Sequence, residues 1–337
     1  MRYSRVNEFF YPGNAVHGEP NYGLAENFMR TAEAFINTLY HKIKIIQYKD
    51  IRTLSFAIIL LLLCAPFEIC AKKKQDYPCA EIKVGYNYYY KFMRGEDGVI
   101  EKDTPFLLLV NQNQSKFYCP STEYRDSLNS TPLGQAMEKQ IFDAAVKAYV
   151  QSRDKSALDA VVYHSRLYVL KDYAKSISTT YDQAGMGEYG YYDEPFSEIE
   201  WNIVEDSTKT ILDYQCIMAT TDYHGRKWTV WFTPEIPMHD GPWKFCRLPG
   251  LIMEATEPSG QHRFTVTGIE TSSQPIFPVF NTDYQKMDRV DMLRALRHYR
   301  ENSNAMLKAA TGTELGGVDA PVSEEAQKYD YLETDYH

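Results

Sequence analysis

The chain has 337 residues, of which 44% are hydrophobic and 24% are charged, and its formal net charge at pH 7 is -9. These values exclude a disordered chain, a collagen-like chain and a polytopic membrane protein. The 36 Lys and Arg residues are outnumbered by 45 Asp and Glu residues. Because no stripe rich in Lys or Arg is present, a nucleic-acid partner is also excluded.

An export signal is predicted at residues 41–71, where a basic stretch precedes an apolar core from Phe56 to Pro66. That core is too short to cross about 30 Å of hydrocarbon as a stable helix, and the small residue Ala71 suits a cleavage site. An uncleaved anchor helix is the alternative. Residues 1–40 are interpreted as a spurious or disordered extension, and no stable membrane span is expected in the mature chain.

The segment after the signal alternates between apolar and polar residues, as half-buried strands do. One face of a first strand carries Ile82, Val84, Tyr86, Tyr88 and Tyr90, and strands are also predicted at 105–110 and 115–118. A helix follows at 132–150, because Thr131-Pro132 is a typical start and Met137, Ile141 and Ala145 recur at four-residue steps. A second short helix is predicted at 156–162.

Strand patterns dominate from residue 163, each bounded by turn residues such as His224-Gly225 or Pro258-Ser259-Gly260. These strands are predicted at 166–172, 175–181, 198–203, 214–221, 226–233, 250–257 and 262–270. A helix at 286–301 follows, and residues 311–337 are predicted to be an acidic, disordered tail. The pattern predicts an α+β fold: a large curved antiparallel sheet of meanders and hairpins, packed by one or two amphipathic helices, in a single domain over residues 72–310.

Four cysteines lie beyond the signal, and an even number in an exported chain favours disulfides. Three pairings are open. We expect Cys79–Cys119, because these residues flank the first meander, and Cys216–Cys246, because they lie in neighbouring predicted hairpins.

The segment Trp228 to Ile252 holds four prolines, two glycines and three tryptophans in 25 residues. In a structural interpretation the prolines and glycines shape the turns, and the tryptophans fill a core. In a functional interpretation the rigid loop displays polar and aromatic groups to a ligand or partner. The two interpretations are compatible, and the displayed residues would be Glu235, His239, Asp240, Trp243, Lys244 and Arg247.

Residues 246–252 form the motif Cys246-Arg247-Leu248-Pro249-Gly250-Leu251-Ile252. With the preceding Trp231-Phe232-Thr233-Pro234-Glu235-Ile236-Pro237 and Gly241-Pro242-Trp243-Lys244-Phe245, it resembles the GLPGLI family of exported Bacteroidetes proteins. The resemblance covers most of residues 79–310 and implies an exported protein, of a kind often found beside outer-membrane transport functions. It implies no particular biochemical activity. The chain departs from the family at Cys246-Arg247, where two glycines are typical.

We expect a protein without catalytic activity, cofactor or metal, which binds a ligand or a partner in the periplasm or at the outer membrane. An outer-membrane transport component is one such partner. The tyrosine clusters Tyr88-Tyr89-Tyr90 and Tyr189, Tyr191 and Tyr192 suit strands and can also stack on a carbohydrate or peptide.

Two alternatives stay open. The first is a metal-assisted hydrolase that uses Glu235, His239 and Asp240. The second is a protein that handles copper or zinc, with ligands drawn from His224, Met238, His239, Cys246 and His262.

Overall fold

A single large sheet organises the chain in the computed structural model, which describes residues 77–94, 99–161, 163–280, 283–311, 327–328 and 330–336. The predicted signal at residues 41–71 and the extension at residues 1–40 lie outside these ranges. The sheet has thirteen strands within them. They are β1 (Ile82–Arg94), β2 (Val99–Val110), β3 (Gln114–Tyr118), β4 (Tyr168–Asp172), β5 (Ile177–Gly185), β6 (Glu188–Pro195), β7 (Asn202–Ile211), β8 (Tyr214–Tyr223), β9 (Arg226–Thr233), β10 (Leu251–Thr256), β11 (His262–Thr271), β12 (Tyr284–Lys286) and β13 (Gln327–Lys328).

The sheet consists of two meanders joined at one seam. Its order is β12-β6-β5-β4-β3-β2-β1-β11-β10-β9-β8-β7, and β13 pairs with the far end of β1. Strands β1 to β6 form the first meander and β7 to β11 the second, and the antiparallel pairing of β1 with β11 connects them. The exception to antiparallel pairing is β12, which runs parallel to β6. The predicted α+β fold with a large antiparallel sheet is therefore confirmed.

Three α-helices accompany the sheet in the described residues: α1 (Pro120–Asn129), α2 (Pro132–Ser152) and α3 (Arg289–Thr311). Thr131 caps α2 as expected, because its hydroxyl accepts a hydrogen bond from the Gly134 amide at 3.1 Å. Helix α3 packs on β5 and β6. No helix in the described part of the chain is long and apolar enough to cross a membrane.

We expected the helix predicted at 132–150, which is α2, to pack on the sheet, and this is wrong. It lies mainly against α1 and the 3₁₀ helix Lys155–Val161, and α3 is the helix that packs on the sheet. Met137 and Ile141, predicted on its inward face, are 43% and 38% exposed. The reason is that α1, which we did not predict, supplies the surface on which α2 rests.

The main core lies between the aromatic residues of both meanders. Phe106 of β2 stacks on Phe117 of β3 with ring centroids 4.6 Å apart, and Phe264 of β11 lies 6.1 Å from Phe117. Trp228 of β9 extends this cluster and is 1% exposed. Each of these side chains contributes about 1.5–3 kcal/mol by leaving water, so the seam between the meanders is a major source of stability.

Both predicted disulfides are wrong. The four cysteines of the described residues, Cys79, Cys119, Cys216 and Cys246, are free thiols. The Cys79 carbonyl accepts a hydrogen bond from Asn111 beyond the end of β2, whereas Cys119 follows β3, several residues away along the sheet. Cys216 lies in the core, where its thiol donates to the Tyr214 carbonyl at 3.6 Å. Burial raises the pKa of the Cys246 thiol to about 12.

Candidate functional site

The motif loop between β9 and β10 is a packed scaffold. Gly250 has φ of 158°, and a Cβ atom at this position would collide with the Thr233 carbonyl, so only glycine fits. Leu248, Leu251 and Ile252 are at most 1% exposed. The Leu251 amide donates to the Ile236 carbonyl at 3.1 Å, which closes the loop on itself.

A buried ion pair fixes this loop to the sheet. Lys171 of β4 pairs with Asp240, and both side chains are fully buried. The Lys171 ammonium also donates to the carbonyls of Gly241 at 3.1 Å and Phe245 at 2.9 Å. Tyr173 donates its hydroxyl to the second oxygen of Asp240. All three ammonium protons thus have acceptors, as a buried lysine requires.

The six loop residues that we expected to be displayed divide into two groups. Asp240, Trp243 and Lys244 are at most 1% exposed, so the prediction of a displayed set is wrong for them. Each is buried because the interior provides a partner: a cation, an aromatic cluster or a pair of carboxylates. Of the exposed members, His239 and Arg247 line the same small cavity, where Arg247 also donates to the Phe196 carbonyl at 2.9 Å. Glu235 lies apart from them and accepts from the Gln215 amide at 2.8 Å.

Two non-glycine residues of the loop adopt left-handed backbone conformations. Trp243 has φ of 52° and Arg247 has φ of 75°. Arg247 stands where the GLPGLI family typically has glycine, and this conformation costs about 1–2 kcal/mol for a residue with Cβ. Packing of the Trp243 ring 5.1 Å from Phe245 and 5.9 Å from Trp228 helps to hold the loop in place.

Lys244 is the centre of a second buried ion-pair cluster. Its ammonium lies 2.5 Å from Glu194 of β6 and 2.6 Å from Glu333, and it donates to the Tyr192 hydroxyl at 2.9 Å. Lys244, Glu194 and Glu333 are all less than 10% exposed. One cation therefore holds two carboxylates that come from distant parts of the sequence.

Arg289 at the start of α3 extends the cluster toward solvent. Its guanidinium lies 3.1 Å from Glu194 and 2.5 Å from both Glu333 and Asp335. Burial would raise the pKa of Glu194, but the charge of Lys244 and contact with His224 outweigh it and lower that pKa to about 2. Hydrogen bonding from Arg289 likewise overcomes burial and lowers the pKa of Asp335.

Residues 330–336 are folded onto the sheet, so the predicted disordered tail is wrong for this stretch. The Thr334 amide donates to the His224 carbonyl at 3.0 Å, and Arg226 pairs with Asp330 and donates to the Leu332 carbonyl at 3.1 Å. The acidic residues are ordered here because arginine, histidine and lysine side chains contact them. Residues 312–326 lie outside the described part of the chain.

A cavity of about 480 Å³ lies between the sheet, α3 and residues 330–336. The second cavity, beside the motif loop, is smaller, at about 380 Å³. The first is the larger of the two and falls in the usual range of ligand pockets, about 300–1,000 Å³. Its wall includes Tyr88, Tyr90, Lys102, Thr104, Tyr163, His164, Arg166, Thr180, Asp182, Gln183, Tyr192, Trp243, His262, Leu293, Tyr299, Arg300, Asp330, Tyr331, Glu333 and Tyr336.

Tyrosines dominate the wall of this larger cavity. Tyr88 stacks on Tyr90 with ring centroids 5.2 Å apart, and its hydroxyl lies 2.7 Å from His262 Nδ1. Burial raises the pKa values of Tyr88 and Tyr192 above the usual range, so both hydroxyls keep their protons at neutral pH. The wall therefore combines flat apolar rings with hydroxyl groups.

The side chains that resemble metal ligands are otherwise engaged. Glu194, His224 and Glu333 bring ligand atoms within 4.8 Å of one another. Lys244 and Arg289 already neutralise both carboxylates, so a metal ion would have to displace them. Met238, His239 and Cys246 line the smaller cavity, while His224 Nε2 lies 3.0 Å from Glu194 and His262 Nε2 lies 3.2 Å from Asp330. The raised pKa of Cys246 disfavours the thiolate that a soft metal needs.

The sequence did not identify four charged residues of this region: Arg166, Glu194, Arg289 and Glu333. Glu194 and Lys244 are separated by 50 residues, and no local spacing links them. A weak signal existed, because an acidic stretch that contains Tyr331, Leu332 and Tyr336 is less polar than a typical disordered tail.

A family model described as "Protein of unknown function (Porph_ging)" matches residues 223–254, from the turn after β8 to β10. No curated protein matches the sequence.

Among solved structures, PNGF-II in its P21 form is 10% identical with a TM-score of 0.43, and in its C2 form 11% identical with a TM-score of 0.42. Each match covers 65% of this chain and 33% of that chain, so the similarity spans about a third of PNGF-II. A putative outer membrane lipoprotein-sorting protein domain from Vibrio parahaemolyticus is 6% identical with a TM-score of 0.21, covering 67% of this chain and 94% of that chain.

Proposed function

We propose that this protein is an exported, non-catalytic binding protein of the GLPGLI family, which holds a small ligand in the cavity under residues 330–336. It acts in the periplasm or at the outer membrane, where a transport component is its expected partner. The order of motif residues along the chain and the predicted signal at residues 41–71 support the family and the location. The family match at residues 223–254 includes the motif loop.

The cavity itself is the observation that carries the proposal. Ligand sites are concave, mostly preformed and lined by aromatic side chains with a few polar groups. The cavity between the sheet and α3 has this character, with a volume of about 480 Å³ and a wall rich in tyrosine. The sheet, residues 163–167, α3 and residues 330–336 form most of it, with Trp243 of the motif loop, and the ion pairs of Lys244 and Arg289 hold the sheet, α3 and residues 330–336 together.

A binding role fits the chemistry of the region better than hydrolysis does. Glu235, His239 and Asp240, the residues of the hydrolase alternative, have different surroundings: Glu235 and His239 are exposed and Asp240 is buried against Lys171. A general acid and base must reach the same substrate bond, and these three side chains do not meet in one cleft.

A ligand screen with a cavity-filling variant tests the proposal. Leu293 of α3 is half-buried on the cavity wall, so Leu293→Trp adds volume there. In a thermal-shift screen of sugars, organic acids, dipeptides and nucleosides, at least one class should raise the Tm of the full chain by several degrees at 100 times its Kd. The same compounds should have little effect on Leu293→Trp.

The matched control is Leu133→Trp on α2. The Leu133 side chain is 72% exposed and does not line the cavity. This variant should respond to ligands as the wild type does. A screen in which no compound raises the Tm of the wild type, or in which Leu293→Trp responds equally, would contradict a ligand-binding cavity.

A further inference from the structure

The three carboxylates on the wall of the larger cavity already have cationic partners. Two of them, Asp330 and Glu333, belong to the segment that covers the cavity, and the third belongs to β5. The pairs are Glu333–Lys244 at 2.6 Å, Asp330–Arg226, and Asp182–Arg300 at 4.0 Å. Burial also raises the pKa of Asp182. The wall thus offers little free negative charge to a ligand.

Arg166 differs from these groups. Its guanidinium carbon lies 3.5 Å from the centroid of the Tyr163 ring and 5.3 Å from that of Tyr189. Within the described ranges no carboxylate lies at ion-pair distance from it and no hydrogen bond from it is present, although its charge acts on Asp126 and Asp182 and opposes the effect of burial on their pKa values. A guanidinium stacked on a ring keeps its in-plane N–H donors available, and their fork matches a carboxylate. Arg166 is thus a half-buried cation with unused donors on a cavity wall.

The other groups of the wall suit a hydroxylated ring. Tyr88 stacks on Phe264 at 4.4 Å as well as on Tyr90 at 5.2 Å, and the Tyr90 end of this pair can pack against the apolar face of a pyranose. Thr180 and Gln183 of β5 place a hydroxyl and an amide on the same wall. The Gln183 amide nitrogen already donates to the Gly185 carbonyl at 2.7 Å, but its oxygen can accept from a sugar hydroxyl, and the Thr180 hydroxyl can donate and accept.

We propose that the cavity binds an acidic sugar, a pyranose that carries a carboxylate, and that Arg166 pairs with that carboxylate. This inference rests on the proposed function and adds the chemical class of the ligand. The tyrosine pair packs against the sugar ring, and the fork of Arg166 fixes the position of the acid group. A neutral sugar of the same shape leaves these donors without an ionic partner.

Titration calorimetry with matched sugars tests the proposal on the full chain. The probes are methyl glucuronide against methyl glucoside, methyl galacturonide against methyl galactoside, and methyl mannuronide against methyl mannoside. At least one acid should bind about tenfold more tightly than its neutral partner, since a charged hydrogen-bonded pair of this kind corresponds to that factor. Arg166→Gln should remove the preference, and Arg166→Lys should keep part of it.

Arg263→Gln is the matched control. Arg263 is an exposed arginine of β11 whose guanidinium lies 5.0 Å from the Tyr89 ring, and it is outside the cavity wall. This variant should keep the full preference for the acid. Unchanged Tm values for all variants would show that the comparison concerns binding and not folding.

Three results would overturn the proposal. Equal binding of acid and neutral sugars in the wild type, or an acid preference that survives in Arg166→Gln, would reject acid recognition by Arg166 and leave a ligand-binding cavity in place. Absence of heat with every sugar would reject the sugar class. The Leu293→Trp screen would then decide separately whether the cavity binds any ligand.

Discussion

Two irregular segments, the motif loop before β10 and residues 330–336, are each held by a buried lysine, Lys171 of β4 for the loop and Lys244 of the loop for residues 330–336, but in different settings. The loop is held by Lys171 and Asp240, which are both fully buried. The other segment is held by Lys244, but its carboxylates reach from the interior to the surface: Glu333 is 6% exposed and Asp335 is 34% exposed. The first ion pair is sealed from water, whereas the second cluster reaches the solvent at Asp335.

The difference predicts how each segment responds to change. A sealed pair has no substitute partner, so loss of one charge leaves the other buried and unpaired. In the second cluster Lys244 and Arg289 share Glu194 and Glu333, so each charge retains a partner when one is removed. Because this cluster reaches solvent, it is also open to titration.

The largest effect is expected for Lys171→Met. This change leaves the Asp240 carboxylate buried without its cation, and we expect the free energy of unfolding to fall by about 3–5 kcal/mol. Urea unfolding followed by circular dichroism measures the loss. The control Lys139→Met removes a lysine that is 75% exposed and paired with Asp143, and should change stability by less than about 1 kcal/mol. Equal, small effects would show that the sealed pair is not essential.

A smaller effect is expected for Glu333→Gln. The amide keeps a hydrogen-bond acceptor near Lys244, and Glu194 still balances that cation, so the loss should be about 1–3 kcal/mol. Hydrogen exchange should show faster exchange of the Thr334 amide, which donates to His224. Glu301→Gln, which removes an exposed partner of Arg297, is the control. A loss as large as that of Lys171→Met would contradict the shared-partner argument.

The smallest effect is the contribution of Asp335 to pH dependence. Its pKa in the folded protein is lowered, as are those of Asp330 and Glu194, so all three stabilise the fold above the pKa of the unfolded chain, about 4. That stability is lost as the pH falls toward the lowered values. The urea concentration at the midpoint of unfolding should therefore decrease as the pH is lowered from 5 to 3. Asp335→Asn should make this decrease slightly smaller.

Other buried carboxyls act in the opposite direction. Burial raises the pKa values of Glu123 and Asp126, so their protonation favours the folded state as the pH falls. For this reason the variant is compared with a control, Asp143→Asn, which removes an exposed aspartate paired with Lys139. Identical slopes for Asp335→Asn and the wild type would exclude a contribution from the second attachment.

The sequence predicted β8 to β11 of the second meander closely because these strands alternate and end in clear turns, whereas the strand predicted at 198–203 overlaps β7 (Asn202–Ile211) at only two residues. The strand predicted at 226–233 is β9 (Arg226–Thr233), and those at 214–221 and 262–270 differ from β8 and β11 by two residues or fewer. Strand β6 was missed because Glu188, Gly190 and Asp193 lie among its tyrosines, and strands disfavour these residue types. Tertiary contacts with α3 and β12 stabilise it instead.

The site was harder to predict than the fold. The density of proline and tryptophan before β10 does mark a rigid segment, but these residues serve burial, as the 1% exposure of Trp243 shows. The acidic stretch near Glu333 resembles a solvated tail by composition alone. Its order depends on Lys244, Arg226 and Arg289, whose positions follow only from the three-dimensional arrangement. Local patterns cannot encode partners that lie so far away in sequence.

The attachment of residues 330–336 also orders events in folding. Its contacts join residues 141 positions apart, as between Tyr192 and Glu333, or 111 apart, as between His224 and Asp335. Closing such long loops has a high entropic cost and slows folding. We expect the turn between β8 and β9 to form before this segment finds its partners, so that one wall of the cavity is added late. The reverse motion, release of the segment while the sheet stays folded, exposes the cavity at a lower free energy than global unfolding requires.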